Sequence, residues 1–415
     1  MSAEGAASGA LVEVGGPDVE LVRHAPVSID GVEVGVTLRP RDAEALARAI
    51  RGLAERGLAV VPIGGSCHLE LGNRPRRVDA LLCTSRLARI EFEPAEGVCF
   101  AGAGVRLGAL RARTSNDGWE IPLDAPDDAS VGGAIAAAAV GPRTQGFGAP
   151  RDVVLGLEVV LGSGERTRCG GRVVKNVTGY DLAKLYTGSQ GALGVIEGAW
   201  LRLRPRPACL RVLEFPARAR ADAIARAVAA SRLPSARACA LRGEAAGALA
   251  GRVELAGAEA SVLRDASWLA REHGAKECGA DAIDALRAEQ HASGAPHGVR
   301  FRIPVLPSAI EATLAALPPE AQVLVYPGLR LCYARFSLAS PDDAAGAERA
   351  FASAAAAARA SAGSFRCESG PPAAKRGHDV FGPMAAGEVA LARALKSRFD
   401  PRGVLSPGRF VGDAA

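Results

Sequence analysis

The sequence predicts an α+β protein of more than one domain. Three observations carry that prediction: an amphipathic helix, a buried strand and a glycine turn follow one another between residues 42 and 66; short apolar runs punctuated by Gly and Pro continue to residue 205; and residues 210–370 mix alanine-rich helical stretches with strand-like runs. At 415 residues the chain has room for two or three domains. Its composition is globular, 48% hydrophobic and 23% charged, with 49 glycines that imply positions of positive φ or close backbone approach.

In chain order, residues 1–35 are rich in Gly, Ala and acidic residues without a sustained period, and read as a flexible N-terminal segment or a short edge segment. A helix follows Thr37-Leu38-Arg39-Pro40, capped by Asp42, with Leu46, Ile50 and Leu53 at helical spacing and Gly57 as its stop. The run Leu58-Ala59-Val60-Val61-Pro62-Ile63 reads as a buried strand that breaks into Gly64-Gly65-Ser66. Strands are expected at residues 78–83, 90–92 and 98–101, then a helix at 107–117 and a turn capped by Ser130 that opens the alanine stretch 134–139. A hairpin over residues 153–169, a short helix at 181–186 begun by Asp181, and a strand at 195–203 complete the first half, with a domain boundary near Pro205. Beyond it, helices are expected at residues 218–231, 280–291 and 341–362, and strands at 210–215, 299–305, 321–326 and 331–337. The alanine run 354–362 reads as a solvent-covered helix.

Several function classes lose support. Net charge is only +5 and no basic run is interleaved with aromatic residues, which argues against a nucleic-acid partner. The longest run of small apolar residues, 131–141, is too short to span a bilayer, and the N-terminus lacks the cationic start of a secretory signal, so no transmembrane segment and a cytoplasmic location are expected. Nine cysteines without Cys-x-x-Cys spacing read as free thiols, and six histidines contain no close pair, so no metal site is expected. Two turns stand out instead. Pro62 to Ser66 and Ser130 to Gly133 follow extended segments and expose consecutive backbone N–H groups, the arrangement that cradles phosphate. Neither fits the Gly-x-Gly-x-x-Gly or P-loop pattern.

Read in order, five segments resemble the vanillyl-alcohol-oxidase/PCMH-type FAD-binding family. They are Val61-Pro62-Ile63-Gly64-Gly65-Ser66; Ala125-Pro126-Asp127-Asp128-Ala129-Ser130-Val131-Gly132-Gly133-Ala134-Ile135-Ala136; Gly146-Phe147-Gly148-Ala149-Pro150-Arg151-Asp152-Val153-Val154-Leu155-Gly156; the stretch from Val174-Lys175-Asn176 through Gly191-Ala192-Leu193-Gly194-Val195-Ile196; and Phe399-Asp400-Pro401-Arg402-Gly403-Val404-Leu405-Ser406-Pro407-Gly408-Arg409. The resemblance implies a PCMH-type FAD-binding domain of two α+β subdomains at 36–205, an α+β cap domain at 206–370, and a segment at 371–415 that returns to the FAD domain. It implies FAD contacts from Pro62, Ile63, Gly64, Gly65, Ser66 and Cys67, from Pro126, Ser130, Val131, Gly132, Gly133 and Ala136, from Gly148, and from Val195 and Ile196. The diphosphate would lie on the N–H groups of residues 64–66 and 131–133. FAD is expected to be noncovalent, because Ser66 and Cys67 separate the Gly pair from His68, whereas covalent members often place histidine directly after the pair.

Within the family, the segment from Gly171-Arg172-Val173 to Tyr180-Asp181-Leu182 is most similar to the FAD-binding E subunits of glycolate oxidases. That similarity implies oxidation of a small 2-hydroxy acid, glycolate, to glyoxylate, in a complex with a second FAD-containing subunit and an iron–sulfur subunit that can place it peripherally at the inner membrane. One departure bears on mechanism. The family's 2-hydroxy-acid dehydrogenases usually carry histidines in two cap segments, and the comparable residues here, 323–330 and 365–370, contain none. His378 is the nearest candidate base by position, and the catalytic residues stay unassigned. Two alternatives remain open, a stand-alone FAD-linked oxidase or dehydrogenase of a hydroxy acid or sugar lactone, and a noncatalytic assembly subunit.

Overall fold

The computed structural model describes residues 11–14, 16–172, 180–291, 297–361 and 363–413. They divide between two compact units, one built from residues 1–139, 149–205 and 385–415, the other from 140–148 and 206–384. The motif stretch 173–179 lies outside the described residues.

The first unit joins two sheets around one apolar core. Its four-stranded sheet runs in the order Val19–Ile29, Val32–Pro40, Ala80–Cys83, Val60–Ile63, antiparallel in the first pair and parallel in the rest. From residue 19 onward the expected flexible segment is therefore part of a hairpin. Its turn, Asp30-Gly31, has φ of +49° and +86°, the positive values that match a two-residue turn to the twist of its strands. Helix Ala43–Glu55 begins as expected, with the Asp42 carboxylate accepting the Ala45 N–H at 2.8 Å and Leu46, Ile50 and Leu53 fully buried. The second sheet is antiparallel in the order Ile90–Glu93, Val98–Gly102, Val195–Arg202, Val154–Val160, Arg166–Gly170. Asp181 precedes helix Leu182–Tyr186 without capping it; its carboxylate pairs with Lys184 at 3.3 Å instead.

The C-terminal motif works as a clip on the strand that carries the first glycine loop. Val60 N–H donates to Val404 O and Ser406 N–H to Val60 O, both at 2.8 Å, which covers the open edge of Val60–Ile63. Asp400 fixes the clip by accepting from the Val404 and Leu405 amides at 2.9 and 2.8 Å and from Lys396 Nζ at 2.6 Å.

The second unit is an eight-stranded antiparallel sheet. Its order is Lys276–Glu277, Cys209–Arg218, Leu249–Gly257, Ala236–Glu244, Gln322–Tyr326, Leu331–Ser337, Gly298–Pro304, Arg366–Ser369. On one face Phe215, Leu241, Val253, Phe301 and Val325 form a core with residues of helices Arg220–Ser231, Glu259–His273 and Ala344–Ala360. The last helix is not solvent-covered throughout, because Ala347, Ala350, Ala354, Ala357 and Ala358 are buried. Alanine serves there as the small residue that brings a helix axis close to its neighbours.

The division into units departs from the sequence expectation in two segments, 371–384 and 140–148. Residues 371–384 stay with the second unit, where Cys367 N–H donates to Val380 O at 2.7 Å and Val380 is fully buried. Residues 140–148 also belong to it. Arg143 meets Glu254 at 2.9–3.0 Å and Asp284 at 2.6 Å, and Gln145 Nε2 donates to Ser231 O at 3.0 Å.

Candidate functional site

The loops after Val60–Ile63 and before helix Val131–Ala136 line a cleft of the first unit, with about 770 Å³ of space that includes its open mouth. Ser130 ties the two loops together. Its hydroxyl, 1% exposed, accepts the Gly65 and Gly133 amides at 3.2 Å each, which leaves its own proton to donate. Glycine is required by contact here. A Cβ on Gly64 would stand 2.0 Å from Ser130 Oγ, and one on Gly65 would stand 2.4 Å from Asp128 O.

Two non-glycine residues of the lining, Ser66 and Gln190, hold φ of +62° and +55°. Strained backbone of this kind persists where the surroundings over-determine it, and such positions cluster at ligand sites. The Gln190 amide is buried with neither Nε2 nor Oε1 hydrogen-bonded. Arg409 also lines the cleft, but its charge is already answered: it is 4% exposed, pairs with Asp30 at 2.9 Å, and donates to the carbonyls of Leu69 and Leu71. Arg409 thus fixes the loop without offering a free cation to a ligand. Cys67 Sγ lies 3.4 Å from Gly65 O and 3.3 Å from Asp128 Oδ1, and burial together with Asp128 pushes the thiol up to about 11.

Of the residues expected to touch a cofactor, Pro62, Ile63, Gly64, Gly65, Ser66, Cys67, Ser130, Gly132, Gly133, Ala136, Val195 and Ile196 all line this cleft. Three do not. Pro126 and Val131 are not among its lining, and Gly148, at φ +89°, belongs to the second unit. The expected diphosphate cradle also changes. Val131 N–H is spent on Val105 O at 2.9 Å and Gly132 N–H on Ala103 O at 3.0 Å, so neither amide is available to an anion. Sequence reasoning missed Thr84, Ala103, Gln190 and Arg409 as lining residues. For Arg409 and Gln190 the signal was their place in the C-terminal motif and in the stretch 174–196; Thr84 and Ala103 carried none.

The cleft fits a flavin nucleotide in its donor set. Polar loops with glycines at contact distance, a serine proton and an unpartnered amide adjoin an apolar wall of Val61, Ile63, Val195 and Ile196. Residues 34–170 match the FAD binding domain family. This stretch is an FAD binding domain.

The whole fold is shared with PCMH-type flavoproteins. A solved p-cresol methylhydroxylase with substrate bound superposes with a TM-score of 0.70 at 16% identity, covering 98% of this chain and 93% of that one. In sequence, the mitochondrial D-2-hydroxyglutarate dehydrogenase of Bos taurus is 37% identical over 180 residues, 43% of this chain and 33% of that protein. The glycolate oxidase subunit GlcE of Escherichia coli is 38% identical over 121 residues, 28% of this chain and 35% of that one. The chain spans only about a third of the length of these relatives in each match.

His378, the candidate base by position, and His273 are both engaged within the second unit. His378 stacks on Phe351 with centroids 4.0 Å apart, and its Nε2 lies 3.3 Å from Glu348. His273 ends helix Glu259–His273 against Trp268, followed by Gly274 at φ +65°. Among the described residues no cluster of His, Cys, Asp and Glu is placed to hold a metal, and no helix is long and apolar enough to cross a membrane.

Proposed function

We propose that the chain is an FAD-linked oxidoreductase of a small 2-hydroxy acid, acting as the FAD-binding subunit of a glycolate-oxidase-type complex with a second FAD-containing subunit and an iron–sulfur subunit. The observation that carries the reading is the cleft in which Ser130 joins the two glycine loops. Relatives named for D-2-hydroxyglutarate and glycolate support the substrate class.

FAD, when bound, supplies a two-electron acceptor for the hydride on the hydroxyl-bearing carbon. The chain's own part is to hold it. Residues 64–67 and the Ser130 hydroxyl would meet its polar groups, Ala136 and Ala137 would allow close approach, and Val195 and Ile196 would pack on its apolar ring. No covalent tether is part of this reading, because the Cys67 thiol stays protonated at neutral pH, and a protonated thiol is a poor nucleophile. Two engaged histidines favour electron relay over primary oxidation, since each already has aromatic and polar partners.

The test is anaerobic. The purified yellow chain, mixed with glycolate alone, should keep its flavin oxidised, and should be bleached once the other two subunits are added; acid precipitation should release all the colour. Rapid bleaching of the lone chain would overturn the relay role, and failure to take up FAD would overturn the reading as a whole.

A further inference from the structure

We propose that Glu158 and Glu197 share one proton behind the wall of the flavin cleft, and that losing this proton as pH rises loosens the wall and the cofactor with it. Two neighbouring strands bring the pair together. In Val154–Val160, Leu157 and Val159 enter the apolar core, so Glu158 takes the other face. In Val195–Arg202 the pairing steps from Ile196 opposite Val159 to Gly198 opposite Glu158, which leaves Glu197 as the extra residue of a β-bulge. The bulge sets its side chain against that of Glu158. Both residues are buried, at the side of a hollow of about 650 Å³, its open mouth included, through which protons exchange with solvent.

Arginines surround the pair without serving its members alike. Arg166 closes a two-nitrogen fork on Glu197, Nε at 3.0 Å and Nη2 at 2.7 Å, and gives its remaining nitrogen to Glu44 in the first turn of helix Ala43–Glu55. Glu158 is left with Arg168 at 3.2 Å and Arg89 at 3.5 Å, whose side chains are 73% and 56% exposed. Exposed guanidiniums hold a carboxylate weakly. Arg89 is divided further, between Glu91 at 3.4 Å and the Phe100 ring 4.1 Å away. The remaining charged residues around the hollow face other partners, Arg41 with Asp18 and Asp42, and Arg86 with Glu20. Two buried carboxyls side by side cannot both ionise cheaply, so the proton stays on the member with the weaker cations, Glu158. Burial and then Glu197 push that carboxyl above the ordinary 4.5.

The bulge is part of the cleft. Ile196 lines it, and Glu197 O accepts the N–H of Ala103, another lining residue, at 2.9 Å. Ala103 O in turn accepts the Gly132 N–H at 3.0 Å, so backbone hydrogen bonds run from the pair to the second glycine loop. With the proton in place the two carboxyls attract; without it they repel, and the strain falls on the bulge. The folded chain holds this proton more tightly than the unfolded chain does. The pair's contribution to stability is therefore fully present below pH 4.5 and is lost as pH rises through the Glu158 value. The effect on the cofactor rests on FAD occupying the cleft, whereas the proton pair does not.

Glu158→Gln keeps the shape and a hydrogen-bond donor, and removes the charge. At about pH 5.5 an ordinary glutamate has lost roughly nine-tenths of its protons. Infrared difference spectra of the wild-type holoprotein against the variant should still show there the carbonyl band of a neutral carboxylic acid, fading as pH rises. The urea midpoint of the wild type should fall relative to that of the variant between about pH 5.5 and about pH 8. FAD release on dilution should be at least about threefold faster at the higher pH in the wild type, and equal at both in the variant. Three results would overturn the proposal: no acid band; a variant less stable than the wild type by the same amount at both pH values, as a plain ion-pair partner of Arg168 would be; or a pH ratio of FAD release that the variant keeps. Should Glu158→Gln not fold, Glu158→Asp, which draws the carboxyl back from Glu197, should lose the same band and the same pH dependence. A chain that takes up no flavin would fail the FAD reading, and its infrared and urea results would still decide the pair.

Discussion

The cleft of the first unit and Arg300, Arg302 and Arg366 of the second handle polar groups in opposite ways. In the first unit two buried charges near the cleft are answered, Arg409 by Asp30 and Lys396 by Asp400, and the cleft is lined by neutral polar groups on fixed loops. In the second, Glu368 lies 3.4 Å from Arg302 and 3.9 Å from Arg300, and Nε and Nη2 of the buried Arg366 have no hydrogen-bond partner. The difference separates two uses of charge. An ion pair with complete hydrogen bonding is scaffolding, whereas a buried guanidinium with unpaired nitrogens is not.

The sharpest way to break that comparison is to remove one charge from each unit. Lys396→Met strands the buried Asp400 carboxylate, and should cost about 3–5 kcal/mol in urea unfolding, whereas Arg366→Gln, at a guanidinium whose Nε and Nη2 make no hydrogen bond, should cost much less. Next in size, Gly65→Val drives a side chain into Asp128 O and Ala129, for a loss of about 1–3 kcal/mol, and the absorbance ratio at 450 and 280 nm should show the flavin gone. Ser130→Ala removes the acceptor shared by two amides. It should cost about 1 kcal/mol and weaken FAD by about tenfold in an equilibrium dialysis measurement, with Ser130→Thr largely restoring both. A smaller effect concerns Cys67. Burial and Asp128 raise its thiol from 9.0 to about 11, so its contribution to stability is present below about pH 9 and is lost as pH rises through 11. Mass-spectrometric mapping should find Cys67 slow to react with iodoacetamide at pH 8, and fast alkylation there would contradict the buried, protonated thiol.

How much was legible in the sequence depended on how local the cause was. Helix Ala43–Glu55 could be read because its cap, its apolar spacing and its stop all lie within sixteen residues. The first glycine loop was legible for the same reason. The hairpin turn Asp30-Gly31 carries a strong local signal, which the glycine- and alanine-rich residues around it obscured. Strands Ala236–Glu244 and Leu249–Gly257 were illegible, since alanine has little strand preference and the alternating Arg and Glu faces are polar. The cleft was legible as loops and not as hydrogen bonds. Val131 and Gly132 look like free donors until strand Val98–Gly102 and the turn after it bring Ala103 O and Val105 O beside them. Arg409 and its partner Asp30 are 379 residues apart, beyond any local pattern.

The chain passes between its two units four times, after residues 139, 148, 205 and 384. Neither unit can therefore be inherited, expressed or excised as one continuous piece. A chain stopped at residue 205 would leave the edge of Val60–Ile63 without Val404 and Ser406, and the first glycine loop would hang from an unpaired strand. During synthesis the same gap exists for every copy. The edge waits roughly 20–70 s for its partner at ordinary elongation rates. The edge that carries the first glycine loop is thus closed only once residues 404–406 have been made.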